Sequence, residues 1–178
     1  MTNATAEITF RAASVADALC IGVLAAQVFL DTYALDGIRP TLAREVLVKL
    51  REDTTGALLS RPEKRFIVAE GAGHLVGFAE LTLGADHPLL PTDRGAELCR
   101  LYVQERFTGT GVGSALLARA EALAAAEGAT ALWLTAWAGN QRARAFYPRR
   151  GYRDVGTAMY RFQGEEHENR VFTRAVGG

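Results

Sequence analysis

A glycine-rich segment in the second half of the chain, TGTGVGS at residues 108–114, has the spacing of an anion-binding turn. It follows an apolar strand at residues 98–103 and precedes a helix with apolar residues at helical spacing through Leu123. A helix that begins after such a turn directs N–H groups and its positive dipole end toward a bound anion, typically a phosphate. No carboxylate competes there, because the first acidic residue of the helix is Glu121.

Two known phosphate loops compete for this segment, and both fail. The P-loop of nucleotide hydrolases needs a Lys and a Ser or Thr after its last glycine, whereas Val112, Gly113 and Ser114 supply no lysine. The dinucleotide fingerprint needs G-x-G-x-x-G in the first βα unit and an acidic residue about 20 positions later. Here the spacing is G-x-G-x-G and at least three predicted strands precede it. An ordinary strand-to-helix connection stays open, although three alternate glycines disfavour it.

Composition and charge narrow the class of protein. The 178 residues include 20 Lys and Arg and 20 Asp and Glu without a basic block, which argues against nucleic acid as a main partner. Cys20 and Cys99 lie on segments expected to be buried, so neither a disulfide scaffold nor a zinc site is predicted. No signal peptide pattern is evident, and the apolar stretch 19–30 is too short for a membrane span. We therefore expect a soluble cytoplasmic protein.

The elements that must position the turn form one mixed α/β domain, predicted at residues 6–178. Apolar patterning predicts strands at 7–13, 65–70, 75–83, 98–103, 131–137, 152–162 and 170–176. Helices are predicted from a cap at Ser14 through Leu30, at 40–50, after the glycine segment, and at 140–149. Residues 53–64, which contain Gly56 and Pro62, are predicted to form a loop.

A second motif lies downstream, in WLTAWAGNQRARAFYPRRGY at residues 133–152. Its members fit N-x-x-A-x-x-F-Y-x-x-x-G-Y and are Asn140, Ala143, Phe146, Tyr147, Gly151 and Tyr152. Together with the glycine segment, this motif resembles the GCN5-related N-acetyltransferase (GNAT) superfamily, whose phosphate loop is commonly R/Q-x-x-G-x-G/A. The segment FLDTY and the C-terminal MYRFQGEEHENRVFTRAV further resemble the branch of PaiA-like polyamine acetyltransferases.

The resemblance implies a GNAT fold, with a single mixed, mostly antiparallel twisted sheet of about seven strands and flanking helices. The sheet is expected to splay between its fourth and fifth strands. It also implies transfer of an acetyl group from acetyl-CoA to an amine, by direct attack in a ternary complex and without a metal. The amine would belong to a small molecule, such as a polyamine, or to a peptide. A homodimer is expected by resemblance alone, and the alternative is a catalytically silent acyl-CoA-binding or regulatory module.

By resemblance, the cofactor contacts come from three segments. The backbone of Leu101, Tyr102 and Val103 binds the pantetheine arm, and Asn140 steadies the cofactor near its thioester. Backbone amides of the turn hold the pyrophosphate, and the turn comprises Thr108, Gly109, Thr110, Gly111, Val112, Gly113 and Ser114. Thr108 occupies the position usually held by Arg or Gln. The pattern R/Q-x-x-G-x-G/A also fits if it starts at Arg106 and uses Gly109 and Gly111. In that alignment, however, the loop begins two residues too close to the end of the preceding strand.

The resemblance assigns Tyr147 as the acid that protonates the departing thiolate, since a phenol of pKa about 10 is still protonated at neutral pH. Glu97 and Glu80 are candidate bases for the acceptor ammonium, directly or through water. Pro148 is expected to disfavour the helical region for Tyr147 and so to re-aim its side chain. Cys99 has no histidine partner in the pattern, so a covalent acyl-enzyme is not predicted.

The acceptor pocket is expected near one end of the first helix and the end of the fifth strand. Its predicted members are Phe29, Asp31, Tyr33, Glu80 and Trp137. Phe29 and Tyr33 are four residues apart and share a helix face, where packing against the sheet is an equally good explanation. A polyamine would need several acidic partners, and the candidates in nearby loops are Asp36, Asp86 and Asp93.

Overall fold

The computed structural model describes residues 7–90, 94–162 and 165–177. The helices in this part of the chain are α1 (Ala18–Tyr33), α2 (Pro40–Lys49), α3 (Glu52–Leu59), α4 (Val112–Ala126) and α5 (Gln141–Phe146). The strands are β1 (Ile8–Ala12), β2 (Lys64–Gly71), β3 (His74–Leu83), β4 (Gly95–Val103), β5 (Ala131–Trp137), β6 (Arg153–Phe162) and β7 (Glu165–Ala175). Short 3₁₀ turns lie at Val15–Asp17, Glu105–Phe107 and Pro148–Arg150.

The seven strands form one mixed sheet in the order β1-β2-β3-β4-β5-β7-β6. The pairs β1–β2, β5–β7 and β6–β7 are antiparallel, and β4 pairs with β5 in parallel. The parallel ladder joins Gly95–Glu97 to Ala131–Trp133, which are the first three residues of each strand, although both strands continue beyond it. The predicted fold class, including the separation of the fourth and fifth strands, is confirmed.

The chain divides into two compact units, each described by itself. The first unit comprises Met1–Glu80 and Arg100–Ala120, and the second comprises Leu81–Cys99 and Glu121–Gly178. The single domain at 6–178 stays a prediction, and residues 6 and 178 lie outside the described residues, as does Asp93.

A row of three aromatic rings from neighbouring strands forms the core of the first unit. Phe66 of β2 stacks 6.3 Å from Phe78 of β3, and Tyr102 of β4 lies 5.6 Å from Phe78 on its other side. Such pairs contribute about 0.5–1.5 kcal/mol each beyond their buried area. Buried residues of α1 belong to the same cluster, and they are Ile21, Leu24 and Ala25.

The 3₁₀ turn Val15–Asp17, which leads into α1, begins at the predicted cap residue Ser14. The Asp17 carboxylate accepts a hydrogen bond from the Ser14 backbone N–H at 2.7 Å, as a capping box requires. Arg11 donates two further hydrogen bonds of 2.8 Å to the same carboxylate. Chiefly because of the bonds from Arg11, the pKa of Asp17 is lowered to about 2.

With its preceding 3₁₀ turn, α1 covers Val15–Tyr33 and is long and apolar enough to cross a membrane by length and composition alone. However, Ile21 and Leu24 lie in the core of the first unit, and a core helix of a soluble protein passes the same test. The helix is therefore weak evidence for a membrane location. Cys20 lies on its outer face and is exposed, so the expectation that this cysteine is buried was wrong.

The second unit contains long antiparallel ladders and a polar cluster around Glu121. The ladder between β5 and β7 joins Ala131–Trp137 to Asn169–Ala175. The Tyr152 hydroxyl donates a hydrogen bond of 2.9 Å to Glu121, and Arg174 lies 3.1 Å from both oxygens of that carboxylate. Burial, with the adjacent Glu121 charge, raises the pKa of Tyr152 far above its ordinary value.

The prediction of a loop at residues 53–64 was wrong, because that stretch contains most of α3. Gly56 argued for a loop, yet it is accommodated inside the helix. Thr55 is 4% exposed, and Leu58 and Leu59 pack against the aromatic core. Tertiary burial therefore outweighs the low helix propensity of Gly and Thr in this short segment.

Candidate functional site

The glycine turn joins the 3₁₀ turn Glu105–Phe107 to α4, which begins at Val112, inside the glycine segment rather than after it. Gly109 has φ +75° and Gly111 has φ +95°, a left-handed region in which a side chain is strained. A Cβ atom at either glycine would meet no atom within 4 Å, so the backbone conformation alone requires glycine there. Gly113 does not share this role, because it lies in the first turn of α4 without a positive φ.

The threonine side chains of the turn are engaged with the turn itself. The Thr108 hydroxyl donates to the Glu105 carbonyl at 2.8 Å, and the Thr110 hydroxyl donates to the Phe107 carbonyl at 2.6 Å. Arg106, the alternative start of the motif, lies over the Phe107 ring at 5.5 Å. In this arrangement the threonines stabilise the loop, and its hydrogen-bond donors toward an anion are backbone amides.

The first residues of α4 add to those donors. The first backbone hydrogen bond into the helix runs from the Ala115 N–H to the Gly111 carbonyl at 2.9 Å. The amides of Val112 and Gly113 precede it, and such groups point out of the N-terminal end of a helix. The turn is exposed at Gly109, Thr110 and Gly111, so an anion can reach it from solvent. The predicted turn residues are thus brought together at one helix end.

Glu80 lies at the centre of an ion-pair triad on β2, β3 and β4. Its side chain is 2% exposed, and Lys64 donates to its Oε1 at 2.7 Å. The Arg100 guanidinium donates to its Oε2. Lys64 and Arg100 were missed in the sequence, because they lie 16 and 20 residues from Glu80. A sequence pattern could have indicated them, because Lys64, Glu80 and Arg100 each lie two residues from an aromatic residue of the same strand.

Phe29, Asp31 and Tyr33 lie together at the C-terminal end of α1. The rings of Phe29 and Tyr33 are 4.7 Å apart, as their spacing predicts, and Tyr33 is 42% exposed. Asp31 is exposed on the same helical turn. Tyr33 is therefore exposed at the surface of the first unit, whereas Phe29 is half-buried.

In the second unit, Glu97 is half-buried and is the last β4 residue in the ladder with β5, where it pairs with Trp133. It therefore stands at the point where the two parallel strands stop pairing. Trp137, also half-buried, ends β5, and its indole packs against Gly139 so closely that a Cβ there would lie 2.5 Å from the ring. Only glycine fits at that position while Trp137 keeps its orientation.

Asn140 connects β5 to α5 and caps the helix. Its backbone N–H donates to the Trp137 carbonyl at 2.9 Å, and its side-chain Oδ1 accepts from the Ala143 N–H at 3.0 Å. A side-chain cap of this kind stabilises a helix by about 0.5–2 kcal/mol. The amide oxygen of Asn140 is thus used for the cap, which fixes the side chain beside the end of β5.

Tyr147 is 8% exposed and lies within a cluster of aromatic rings. The ring centroids of Phe146, Tyr152 and Phe172 lie 5.1, 5.5 and 5.9 Å from its own. These contacts hold the ring in one orientation and exclude water from most of it. Tyr147 and Tyr152, five positions apart in the motif, are therefore direct neighbours.

The expectation that Pro148 re-aims Tyr147 was wrong. Tyr147 keeps helical dihedral angles, with φ −68° and ψ −45°, and its N–H still bonds to the Ala143 carbonyl at 3.2 Å. Pro148 is the first residue of the next 3₁₀ turn, a position where the missing N–H removes no hydrogen bond. The chain therefore passes from α5 into this turn without a change of direction at Tyr147.

A shallow cleft of about 320 Å³ lies beside α5 in the second unit. It is lined by Gln141, Arg144, Ala145, Pro148, Asp154 and Phe172. Arg170 pairs with Asp154 at 2.7 Å, and this hydrogen bond lowers the pKa of that carboxyl. Sequence inspection did not single out the charged residues of this cleft, because they come from separate elements.

Comparisons with known proteins agree with the fold and the two motifs. The Acetyltransferase (GNAT) family matches residues 32–152. An uncharacterized N-acetyltransferase of Mycobacterium bovis is 37% identical over 111 residues, which is 62% of this chain. The match spans 66% of that relative, just under two thirds of its length. The chain therefore belongs to the acetyltransferase (GNAT) family, as its two motifs predict.

Solved structures of low sequence identity share the whole fold. The PaiA N-acetyltransferase of Thermoplasma acidophilum, solved in complex with coenzyme A, superposes with a TM-score of 0.74 at 21% identity. The match covers 96% of this chain and 99% of that one. An N-acetyltransferase of Staphylococcus aureus gives a TM-score of 0.73 at 20% identity and covers 95% of this chain and 98% of its own.

Proposed function

We propose that this chain is an acetyl-CoA-dependent N-acetyltransferase that moves an acetyl group to a primary amine of a small molecule or peptide. The proposal rests on two features that occur together in this GNAT family chain. The glycines of the turn before α4 have left-handed backbone angles, and Tyr147 of the downstream motif is buried. We further expect it to act in the cytoplasm and to form a homodimer.

The residues present fit acetyl-CoA. The open turn at Gly109 and Gly111 has no side chain to obstruct a phosphate, and α4 adds the positive end of its dipole. In the proposal, backbone amides of residues 108–114 bind the pyrophosphate. The backbone of Leu101–Val103 binds the pantetheine arm, and Asn140, fixed by its cap, steadies the thioester end.

The reaction removes two protons from the acceptor nitrogen and supplies one to the sulfur. The acceptor is an ammonium in water and loses its first proton to Glu97, directly or through a water molecule. The neutral amine then attacks the thioester carbonyl, the C–S bond breaks, and the sulfur leaves as a thiolate. Tyr147 donates the proton that this thiolate takes up, since a phenol is protonated at neutral pH. The attacking nitrogen, cationic after attack, loses its second proton to water, from which Tyr147 is reprotonated.

Glu97 is preferred to Glu80 as the base for a structural reason. Each oxygen of the Glu80 carboxylate accepts a hydrogen bond from a cation, and the residue is 1% exposed. Glu97 is half-buried at the end of the β4–β5 ladder, so it retains access to solvent and to a proton-carrying water. A carboxylate with that access can pass its proton on after each turnover.

The test is release of CoA thiol by the purified full chain, measured with amino acids, peptides, polyamines and aminoglycosides as acceptors. We expect thiol release that depends on both acetyl-CoA and one acceptor class, together with an acetylated product found by mass spectrometry. Release at the background rate with every acceptor would overturn the proposed reaction.

A silent acyl-CoA-binding module is the second candidate, and the engaged threonine hydroxyls of the turn favour it. Thr108 also stands where the family commonly has Arg or Gln. A thermal shift separates the two candidates, because a ligand at 100 times its dissociation constant stabilises a protein by about 2.7 kcal/mol. Stabilisation by acetyl-CoA without turnover would support the silent module, whereas turnover excludes it.

A further inference from the structure

A second tyrosine of the downstream motif, Tyr152, contacts Tyr147 at two points. Tyr152 is 3% exposed, and its ring centroid lies 5.5 Å from that of Tyr147. Its backbone N–H donates to the Tyr147 carbonyl at 3.2 Å, and the Gly151 N–H donates to the Pro148 carbonyl at 3.0 Å. These are the two bonds of a Schellman motif, for which Gly151 supplies the left-handed backbone with φ +81°. The local chain therefore places Tyr152 directly against the proposed acid.

The hydroxyl of Tyr152 is anchored to α4, outside this local motif. It donates to the Glu121 carboxylate at 2.9 Å. A buried hydroxyl that loses its partner is costly, so this bond favours the ring position from which the hydroxyl reaches Glu121. Burial, with the adjacent Glu121 charge, raises the pKa of Tyr152 far above its ordinary value. The hydroxyl therefore keeps its proton at neutral pH and remains a hydrogen-bond donor to Glu121.

Glu121 is itself held by Arg174 of β7. One guanidinium nitrogen of Arg174, Nη1, lies 3.1 Å from both carboxylate oxygens and also donates to the Arg150 carbonyl at 3.0 Å. Arg150 ends the 3₁₀ turn that follows Tyr147. The side chains are 43% exposed at Arg174 and 17% exposed at Glu121, so these contacts lead from the surface to the buried hydroxyl of Tyr152. Arg174 thus joins α4, β7 and the turn after Tyr147 in one network.

We propose that Tyr152 positions Tyr147 for proton transfer, and that Glu121 acts through Tyr152 by fixing its hydroxyl. A general acid must lie within about 2.6–3.2 Å of the atom that it protonates, and a misplacement of about 1 Å can lower the rate a hundredfold. Phe146 and Phe172 also contact the Tyr147 ring, but their side chains carry no polar group for a directional bond to fix. This inference rests on the proposed acetyltransferase function and deepens it.

The first experiment removes the Tyr152 hydroxyl and keeps the ring. Tyr152→Phe should lower kcat roughly tenfold, because the ring remains but its anchor to Glu121 is lost. KM for the acceptor and the dissociation constant of acetyl-CoA should stay unchanged, since neither depends on the orientation of the acid. Tyr160→Phe, which removes the hydroxyl of a half-exposed tyrosine on β6, is the matched control. Unchanged kcat in the Tyr152 variant would overturn the inference.

A second pair of variants leaves Tyr152 intact and tests the same hydrogen bond from its other side. Glu121→Gln keeps an oxygen that can accept from the Tyr152 hydroxyl, so it should retain most of kcat. Glu121→Ala removes the acceptor and should lose as much as Tyr152→Phe. Thermal unfolding of each variant establishes that it is folded at the assay temperature. Equal losses of kcat in the two folded Glu121 variants would contradict positioning by this hydrogen bond.

The decisive comparison adds Tyr152→Phe to a chain that already carries Tyr147→Phe. If Tyr152 acts through the Tyr147 hydroxyl, the second substitution should not lower kcat further, because the group to be positioned is gone. The same fold loss in both backgrounds would indicate a merely structural role and overturn the inference, while the acetyltransferase function stands. Failure of the wild-type chain to acetylate any amine would overturn the proposed function itself.

Discussion

The glycine turn of the first unit and the Asn140–Tyr152 segment of the second present their polar groups in opposite ways. In the turn, the side chains of Thr108 and Thr110 bond to the loop itself, so the groups offered to a ligand belong to the backbone. In the downstream segment, a helix cap fixes Asn140 and aromatic packing fixes Tyr147. The groups that this segment presents to a ligand therefore belong to side chains. The turn is exposed, whereas Tyr147 is buried.

In the proposed reaction this difference corresponds to two roles, in which the turn holds the cofactor and the downstream segment performs the chemistry. A backbone cradle depends on local conformation and tolerates most side chains, except where glycine is needed for a positive φ. A side chain that transfers a proton depends on one functional group in one orientation. Substitutions in the two segments should therefore change different kinetic parameters.

The largest effect is expected from Tyr147→Phe. Loss of a general acid lowers turnover by about a hundredfold or more, while the ring and its packing remain. We expect kcat to fall and the dissociation constant of acetyl-CoA, measured by calorimetry, to stay unchanged. The control is Tyr160→Phe, which removes the hydroxyl of a half-exposed tyrosine on β6. Unchanged turnover in the Tyr147 variant would remove this residue from the acid role.

The next effect is expected from Gly111→Ala. A side chain in the left-handed region costs about 1–2 kcal/mol, so the turn would relax and acetyl-CoA affinity would fall roughly tenfold. Gly113→Ala is the matched control, because Gly113 lies in α4 and alanine raises helix propensity by about 1 kcal/mol. Calorimetry with acetyl-CoA checks both. Equal losses of affinity would show that conformation is not what the turn requires.

A smaller effect is expected from Asn140→Ala, which removes the cap of α5. We expect thermal unfolding to show a loss of about 0.5–2 kcal/mol. Asn140→Asp keeps an oxygen that can accept from the Ala143 N–H and so keeps the cap. If only the cap matters, Asp restores both stability and acetyl-CoA affinity. If the Asn140 amide also contacts the cofactor, Asp restores stability alone.

The smallest effect is expected from Thr110→Val, which removes the hydroxyl that donates to the Phe107 carbonyl. A hydrogen bond of this kind contributes about 0.5–1.5 kcal/mol, so the melting temperature should fall slightly. Acetyl-CoA affinity should not change if backbone amides hold the anion, as proposed. A large loss of affinity would mean that the hydroxyl turns toward the phosphate when the cofactor binds.

Much of the fold could be predicted from the sequence, because apolar spacing reports local geometry. The strand at residues 131–137 was predicted with its observed bounds. The failures share a physical cause. The helix α3 forms because its residues pack against the core, and Tyr147 stays helical because a 3₁₀ turn begins at Pro148. Residue spacing predicts neither the tertiary packing of α3 nor the 3₁₀ turn that follows Tyr147.

The candidate site was predictable where it is contiguous in sequence, as in the turn and the Asn140–Tyr152 motif. Arg100 was not predicted, because its partner Glu80 lies on another strand and the pairing depends on strand register. The roles of the threonine hydroxyls were also beyond the sequence, since they depend on the 3₁₀ turn at Glu105–Phe107. Sequence spacing identifies a motif, and three-dimensional structure shows which of its atoms are already engaged.

We propose that the turn holds acetyl-CoA and that the downstream segment performs the chemistry. The most direct test measures the acetyl-CoA dissociation constant and the single-turnover acetylation rate at saturating acetyl-CoA for Gly111→Ala and Tyr147→Phe in parallel. We predict that the Gly111 variant changes the dissociation constant and keeps the rate, and that the Tyr147 variant does the reverse. A result in which both variants alter the same parameter would contradict the division of labour.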